Sequence, residues 1–396
     1  VAERWSVGVV GAGTMGAGIA EVAARARAQV RLYDVDQAAL ARGQEAIAAS
    51  LARAVERLKL SREEAEATRA RISPTLDLRD LADCDVVIEA VPEDLEQKRR
   101  VFATLGEICR PDALLASNTS SLSITELAQG IPVPSRVLGL HFFNPAPIMR
   151  LVEVVRGELT SDETLRRGED VARRFGKQPV VVWDSPGFIV NRVARPFYLE
   201  AFRLVGDGYA DVPLVDESLR VAGFRQGPFE LLDLIGIDVN LAVSLSLYRQ
   251  THHEPRFRPH WLQERMVRSG RLGRKTGQGF YDYRTETPSL ALRIEARVTP
   301  PSGPWGEWAA EPRRGFVIGR VLAALINEAF WALGQGVASE EDIDLAMKLG
   351  TSWPRGPFEW TAERGIPLIV QTLRALREAH GEAYLPAPLL RQIASA

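Results

Sequence analysis

Val7-Gly8-Val9-Val10-Gly11-Ala12-Gly13-Thr14-Met15-Gly16 decides the fold. A short apolar strand runs into a G-x-G-x-x-G pattern, and the periodicity of 17–27 predicts that a helix follows at once. Val30-Arg31-Leu32-Tyr33-Asp34 reads as a second strand, which completes a βαβ unit. In that setting Gly11 permits a tight turn, Gly13 lets backbone approach a pyrophosphate, Gly16 allows close helix–strand packing, and Thr14 and Met15 open the helix. A lone glycine pattern is weak evidence. This one is followed, about twenty residues on, by an acidic strand end at Asp34, whose carboxylate can accept from ribose hydroxyls and repels a 2'-phosphate. The expected cofactor is therefore NAD and not NADP.

Outward from this unit, long amphipathic helices are predicted over 37–58 and 61–72. Strands at 85–89, 114–117, 136–140, 152–155 and 179–183 then alternate with helices at 96–108, 124–129 and 161–175. Such alternation predicts a mostly parallel sheet with helices on both faces, a Rossmann-type α/β domain over 1–184. Ser185-Pro186-Gly187 reads as a helix entry, with Ser185 as N-cap and Pro186 in the first position. Helical periodicity continues through 188–205, 213–221, 228–248 and 258–269, and a Gly-rich turn from Gly273 to Gly279 closes an all-α domain over 185–284. Residues 285–313, rich in Pro, Gly and Glu, read as a linker.

The remaining 314–396 repeats the helical domain. Arg192-Val193 recurs as Arg320-Val321, Glu200-Ala201-Phe202 as Glu328-Ala329-Phe330, Gly206 and Gly208 as Gly334 and Gly336, and Asp216 as Asp344, all at an offset of 128 residues. With one further insertion, Gly227-Pro228-Phe229-Glu230 recurs as Gly356-Pro357-Phe358-Glu359. Register kept across so many Gly, Pro and acidic positions implies a duplicated helical domain.

Composition bounds the partners. A net charge of -2 argues against a broad nucleic-acid footprint, and no apolar run reads as long enough to cross a bilayer. With no leader pattern ahead of the first strand, a cytoplasmic location is expected. Cys84 and Cys109 form no close-spaced pair, and His252, His253 and His260 lack an accompanying Cys or acidic ligand pattern, so no metal is expected. Lys59, Lys98, Lys177, Lys275 and Lys348 are the only lysines among 49 basic residues, which makes each worth inspecting.

The chemistry centres on Gly139-Leu140-His141-Phe142-Phe143-Asn144-Pro145, with Glu153 downstream. A histidine titrating near neutrality can take a hydroxyl proton as a nicotinamide takes the hydride, and a carboxylate can fix its tautomer. Together with Val87-Ile88-Glu89-Ala90-Val91-Pro92-Glu93, Ser117-Asn118-Thr119-Ser120-Ser121, the run from Ser185 to Arg192 and that from Gly273 to Tyr283, this segment resembles the L-3-hydroxyacyl-CoA dehydrogenases of fatty-acid β-oxidation. The likeness covers nearly the whole chain, with motifs in family order.

The resemblance implies an all-α, 6-phosphogluconate-dehydrogenase-like C-terminal domain, here in two copies, and NAD-dependent oxidation of (S)-3-hydroxyacyl-CoA to 3-oxoacyl-CoA. It implies His141 as general base with Glu153 as its carboxylate partner, Ser120 contacting substrate hydroxyl and nicotinamide, and Asn144 and Asn191 as active-site asparagines that bind substrate. Glu93, Lys98 and Lys275 match cofactor contacts beyond Gly11, Gly13, Thr14, Met15, Gly16 and Asp34. Ser50 and Arg57 match coenzyme A contacts, with arginine standing where the family has lysine. Two rivals are a related dehydrogenase of a hydroxy acid or of L-gulonate, and a non-catalytic structural protein resembling the lens crystallins of this family. The repeat lacks its own Ser-Pro-Gly-Phe-Ile-Val-Asn motif and is expected to pack on the first copy as one subunit packs on another, giving a monomer with an internal pseudo-dimer, or a homodimer.

At equal low concentrations NADH should support faster reduction of acetoacetyl-CoA than NADPH. Faster turnover with NADPH would remove Asp34 from cofactor selection.

Overall fold

The computed structural model describes residues 5–395. It falls into two compact units divided after Phe188. The first is built as β1 Ser6–Val10, α1 Thr14–Arg25, β2 Gln29–Tyr33, α2 Gln37–Glu56, α3 Arg62–Ala70, β3 Ile72–Thr75, β4 Val86–Glu89, α4 Leu95–Ile108, β5 Leu114–Ser117, α5 Ile124–Ala128, β6 Val137–Phe142, β7 Leu151–Arg156, α6 Asp162–Arg174 and β8 Gln178–Trp183. Its eight strands lie in the order β3-β2-β1-β4-β5-β6-β7-β8. All pairings are parallel except β6 with β7, which is antiparallel. The central strands β4, β5 and β6 are buried along their whole length, as a sheet covered on both faces requires.

Two local expectations fail here. Helical periodicity through 61–72 stops at Ala70, and Ile72–Thr75 becomes the edge strand β3, where Pro74 is tolerated because an edge residue can do without a backbone donor. Ser185 caps no helix: Gly187 and Phe188 adopt left-handed backbone, at φ 76° and 50°, and the next helix starts only at Val190. The Ser185 hydroxyl is buried without a hydrogen-bond partner.

The second unit is helical: α7 Val190–Val193, α8 Arg195–Gly206, α9 Val212–Val221, α10 Pro228–Ile235, α11 Ile237–Gln250, α12 Trp261–Arg268, α13 Pro312–Gly334, α14 Glu340–Thr351, α15 Pro357–Arg364, α16 Ile366–His380 and α17 Pro388–Ser395. The continuous periodicity through 228–248 is broken at Gly236, whose φ of 106° turns α10 sharply into α11. Helix α13 also corrects the reading of apolar runs. It is long and apolar enough to cross a membrane, but 83% of its most apolar window is buried inside this unit, where it is the central core helix. Arg320, Asn327 and Glu328 interrupt its sequence and hide its overall apolarity.

The two copies of the helical domain pack on each other through a reciprocal pair of ion pairs. Arg192 Nε of the first copy donates to Glu328 Oε1 of the second at 2.7 Å, and Arg320 Nε of the second donates to Glu200 Oε2 of the first at 2.7 Å. These four residues are the ones that recur at the offset of 128, and all are buried. Arg256 adds a bond to Glu328 at 2.9 Å, and Arg203 and the Tyr384 hydroxyl add bonds to Glu200. Around them Phe197 and Phe224 of the first copy stack with Trp353 and Trp360 of the second at centroid distances of 5.2–5.8 Å.

Burial would raise the Glu200 carboxyl, but Arg203, Arg320 and Tyr384 outweigh it and hold the group below the usual carboxylate range. A depressed folded-state value contributes stability that is complete above the unfolded value near 4.5 and is lost as pH falls through the folded one. Glu200→Gln should cost about 3 kcal/mol at pH 7, since it strands two buried guanidinium groups. The loss should shrink on acidification below the unfolded carboxylate value. Urea denaturation at both pH values reads this out, and an unchanged midpoint at pH 7 would show that the crossed pair does not bind the copies together.

Candidate active site

Because β1, β2, β4, β5 and β6 are mutually parallel, their carboxyl ends emerge on one edge of the sheet. The order reverses between β2-β1 and β4, which is where a doubly wound sheet opens a crevice for a dinucleotide. Gly11, at φ 103°, lies against Ala90, and a Cβ there would come within 2.7 Å of the Ala90 carbonyl oxygen. A Cβ on Gly16 would collide with the Gly11 carbonyl oxygen, whereas one on Gly13 would meet nothing within 4 Å. Gly13 thus borders open space at the start of α1. Alone among the six α-helices of this unit, within the described residues, α1 has no side-chain cap, so its first amides keep their donors for a ligand. Asp34 sits at the end of β2, with Oδ2 accepting from Ala12 N at 2.8 Å and Oδ1 from Asp36 N at 3.1 Å. Glycine loop, uncapped amides and carboxylate together fit an NAD adenosine and pyrophosphate.

A second cluster holds the loops after β4 and β5. Glu93 Oε1 accepts from the Thr119 hydroxyl at 2.6 Å, the Ser120 and Ser121 amides at 3.0 and 3.1 Å and the Ser121 hydroxyl at 2.9 Å, with the Ser120 hydroxyl at 3.4 Å. Burial would raise Glu93, but Lys98 and these donors keep it below the usual range. Lys98, expected to touch the cofactor, is only 1% exposed. Its ammonium is committed to Glu89 Oε1 at 2.6 Å, the Val91 carbonyl at 3.1 Å and Glu93 Oε2 at 3.4 Å, so its charge meets the Ser120 loop only by way of Glu93. Glu89 and Ser117, which sequence reasoning left unassigned, complete this buried core with a 2.7 Å bond.

Antiparallel register places His141 directly opposite Glu153, and His141 Nδ1 lies 2.5 Å from Glu153 Oε2. The imidazole is held between Phe143 and Phe188, at centroid distances of 4.6 and 5.7 Å. With Nδ1–H donated to a carboxylate, the lone pair resides on Nε2, the arrangement a general base needs. Asn118 Oδ1 accepts from Phe142 N at 2.9 Å, tying the Ser120 loop to the His141 strand. Asn144 follows on the exposed loop into β7.

That loop borders a groove of about 330 Å³ lined by Arg25, Ser50, Arg53, Arg57, Lys59, Pro145, Pro147 and Ile148, with Glu21 and Ala54. Ser50 and Arg57, expected as coenzyme A contacts, are both in it. Arg25, Arg53 and Lys59 were not anticipated; the four-residue spacing of Arg53 and Arg57 is the signal that could have found one of them. Asn191 and Lys275 belong to the helical unit. Asn191 is half-buried on α7, and the exposed Lys275 pairs with Asp238 at 2.6 Å.

The family model for the NAD-binding domain of 3-hydroxyacyl-CoA dehydrogenase matches residues 6–185, and the model for its C-terminal domain matches twice, at 187–283 and 315–396. The chain belongs to the 3-hydroxyacyl-CoA dehydrogenase family. It is 41% identical to 3-hydroxyadipyl-CoA dehydrogenase of Escherichia coli K12 over 98% of this chain and 97% of that one. It is 44% identical to 3-hydroxybutyryl-CoA dehydrogenase of Mycobacterium tuberculosis over 70% of this chain and 98% of that one. Among solved structures, 3-hydroxybutyryl-CoA dehydrogenase of E. coli K12 superposes with a TM-score of 0.90 at 39% identity, covering 99% of this chain and 98% of that one. As in this family generally, the fold joins a Rossmann-like NAD domain to a helical domain.

Replacing His141 with alanine should lower turnover by roughly 10²–10⁴-fold while leaving NADH affinity, followed by fluorescence titration, unchanged. Wild-type turnover in a folded His141→Ala protein would exclude the residue as base.

Proposed function

We propose that this chain oxidises (S)-3-hydroxyacyl-CoA to 3-oxoacyl-CoA with NAD as the hydride acceptor. The observation that carries this reading is the 2.5 Å His141–Glu153 contact at the same sheet edge as the glycine loop. Bound NAD would take the hydride from C3 of the substrate. His141 Nε2 would take the proton from the C3 hydroxyl in the same step, and Glu153 would stabilise the imidazolium that results. Ser120 and Asn144 are assigned to orient the substrate oxygens by neutral hydrogen bonds, with Asn191 contributed by the helical unit and Lys275 to the cofactor. Glu93 and Lys98 fix the backbone of the Ser120 loop.

The cationic groove favours a coenzyme A thioester over a small free hydroxy acid: four basic side chains against one carboxylate suit a tail bearing several phosphates. The short-chain names of the relatives lead us to infer short acyl groups, with a single chain as the working unit because the helical copies are already paired. NADH oxidation with acetoacetyl-CoA and longer 3-oxoacyl-CoAs tests reaction class and chain length together. Changing both Arg53 and Arg57 to alanine should raise KM for acetoacetyl-CoA roughly tenfold and leave KM for acetoacetyl-pantetheine, which lacks the nucleotide, unaltered. An equal rise for both thioesters would move the nucleotide elsewhere.

A further inference from the structure

Lys177 has no part in the chemistry above, yet it is one of the five lysines in a chain whose basic residues are otherwise arginine. It stands between α6 and β8, half-buried, and its Nζ donates to two carbonyls of one turn, Ala146 O at 2.6 Å and Met149 O at 2.7 Å. The turn is tight: the amides of Ile148 and Met149 both donate to the Pro145 carbonyl at 3.0 Å. Next to Lys177, Gln178 N donates to Arg150 O at 2.7 Å, so one short segment anchors the loop at three carbonyls. On its other side the loop rests on α1, where a Cβ at Gly18 would come within 3.2 Å of Ala146 Cβ. Pro145, Pro147 and Ile148 of this loop line the cationic groove, and Asn144 immediately precedes them.

We propose that Lys177 is a positioning residue for the substrate: it clamps the 145–149 turn, and through that turn sets both one wall of the coenzyme A groove and the placement of Asn144. The inference rests on the proposed acyl-CoA reading of the groove. A compact ammonium suits the task, because its donors can diverge toward two carbonyls of a curved turn, whereas a planar guanidinium fork is matched to two parallel acceptors. Two carbonyls left without this donor would be free to rearrange, and the proline-rich wall with them.

The clamp is also sensitive to pH. Burial above all, with Arg25 on α1 adding to it and Glu21 on α1 opposing, brings the Lys177 ammonium down to about 8. The turn it grips, residues 145–149, carries no titratable side chain. The ammonium is therefore charged below about pH 8 and loses its charge, and the stronger charge-assisted bonds, above it.

The test compares the full-length wild type, Lys177→Met and Lys177→Arg in acetoacetyl-CoA reduction by NADH between pH 6.5 and 10, with CoA binding by calorimetry and NADH binding by fluorescence. For Lys177→Met, KM for acetoacetyl-CoA should rise roughly tenfold at pH 7, with NADH affinity unchanged and no further rise in KM at high pH. Wild-type KM should be flat to about pH 8 and climb above it. Lys177→Arg, which keeps its charge, should recover part of the affinity and abolish the climb. A wild-type KM that stays flat to pH 10, or a Lys177→Met protein with wild-type KM, overturns the proposal. If Lys177→Met does not fold, the wild-type and Lys177→Arg pH profiles decide. If no 3-oxoacyl-CoA is turned over by the wild type, the acyl-CoA reading fails on its own, and the calorimetric CoA affinities then judge the clamp.

Discussion

The antiparallel pairing of β6 with β7 is the constraint on which the catalytic half of this molecule depends. In a wholly parallel sheet the strand after β6 would begin at the opposite edge, and its residues could meet His141 only across a long crossover. Reversal brings the start of β7 beside the end of β6 and sets Glu153 opposite His141 as a cross-strand pair. The connecting loop is consequently short, and it carries Asn144, contributes the prolines of the groove and receives the grip of Lys177. One topological choice thus gives His141 its partner carboxylate and the cationic groove its wall.

The cofactor side is built on a different principle. Buried carboxylates are tolerable only when paired and hydrogen-bonded, and Glu89, Lys98 and Ser117 form such a closed set beneath the crevice. Glu93 then extends that set to the surface and binds the backbone of the Ser120 loop. Charge buried at depth is converted into fixed loop geometry where a ligand would sit. Phe188 adds a related device, since its left-handed backbone delivers an aromatic ring against His141 from the end of the same unit.

How much of this could be read from sequence depended on whether the determining contacts were local. The glycine loop, its strand and helix, and Asp34 lie within a few turns of one another, and their spacing is dictated by the ligand they fit. The duplicated domain was legible for a similar reason: Arg192, Glu200, Arg320 and Glu328 keep register, although nothing in the sequence says that they pair crosswise. Edge strand β3 was missed because its four residues bury little and include a proline, so neither alternation nor apolarity announces it. Lys98 was expected to reach the cofactor, and its depth escaped the sequence because it is set by Glu89 at the end of β4 and by Val91 in the loop that follows. The groove's basic residues come from α1 and from α2 with the turn after it, and only their packing against the loop after His141 makes them one surface.

The crossed Arg–Glu pairs join two segments of one covalent chain, so the association they mediate has no concentration in its equilibrium constant. Dilution that would separate two free subunits leaves this pairing intact, because the linker keeps the second copy at a high effective concentration beside the first. Linkage also removes the symmetry that a twofold imposes. A substitution in a true dimer alters both halves of the interface at once, whereas here the two copies can differ, as they do where Asn191 of the first copy corresponds to Gly319 of the second and Arg203 to Trp331. Covalent linkage thus lets the two copies carry different residues at corresponding positions within one interface.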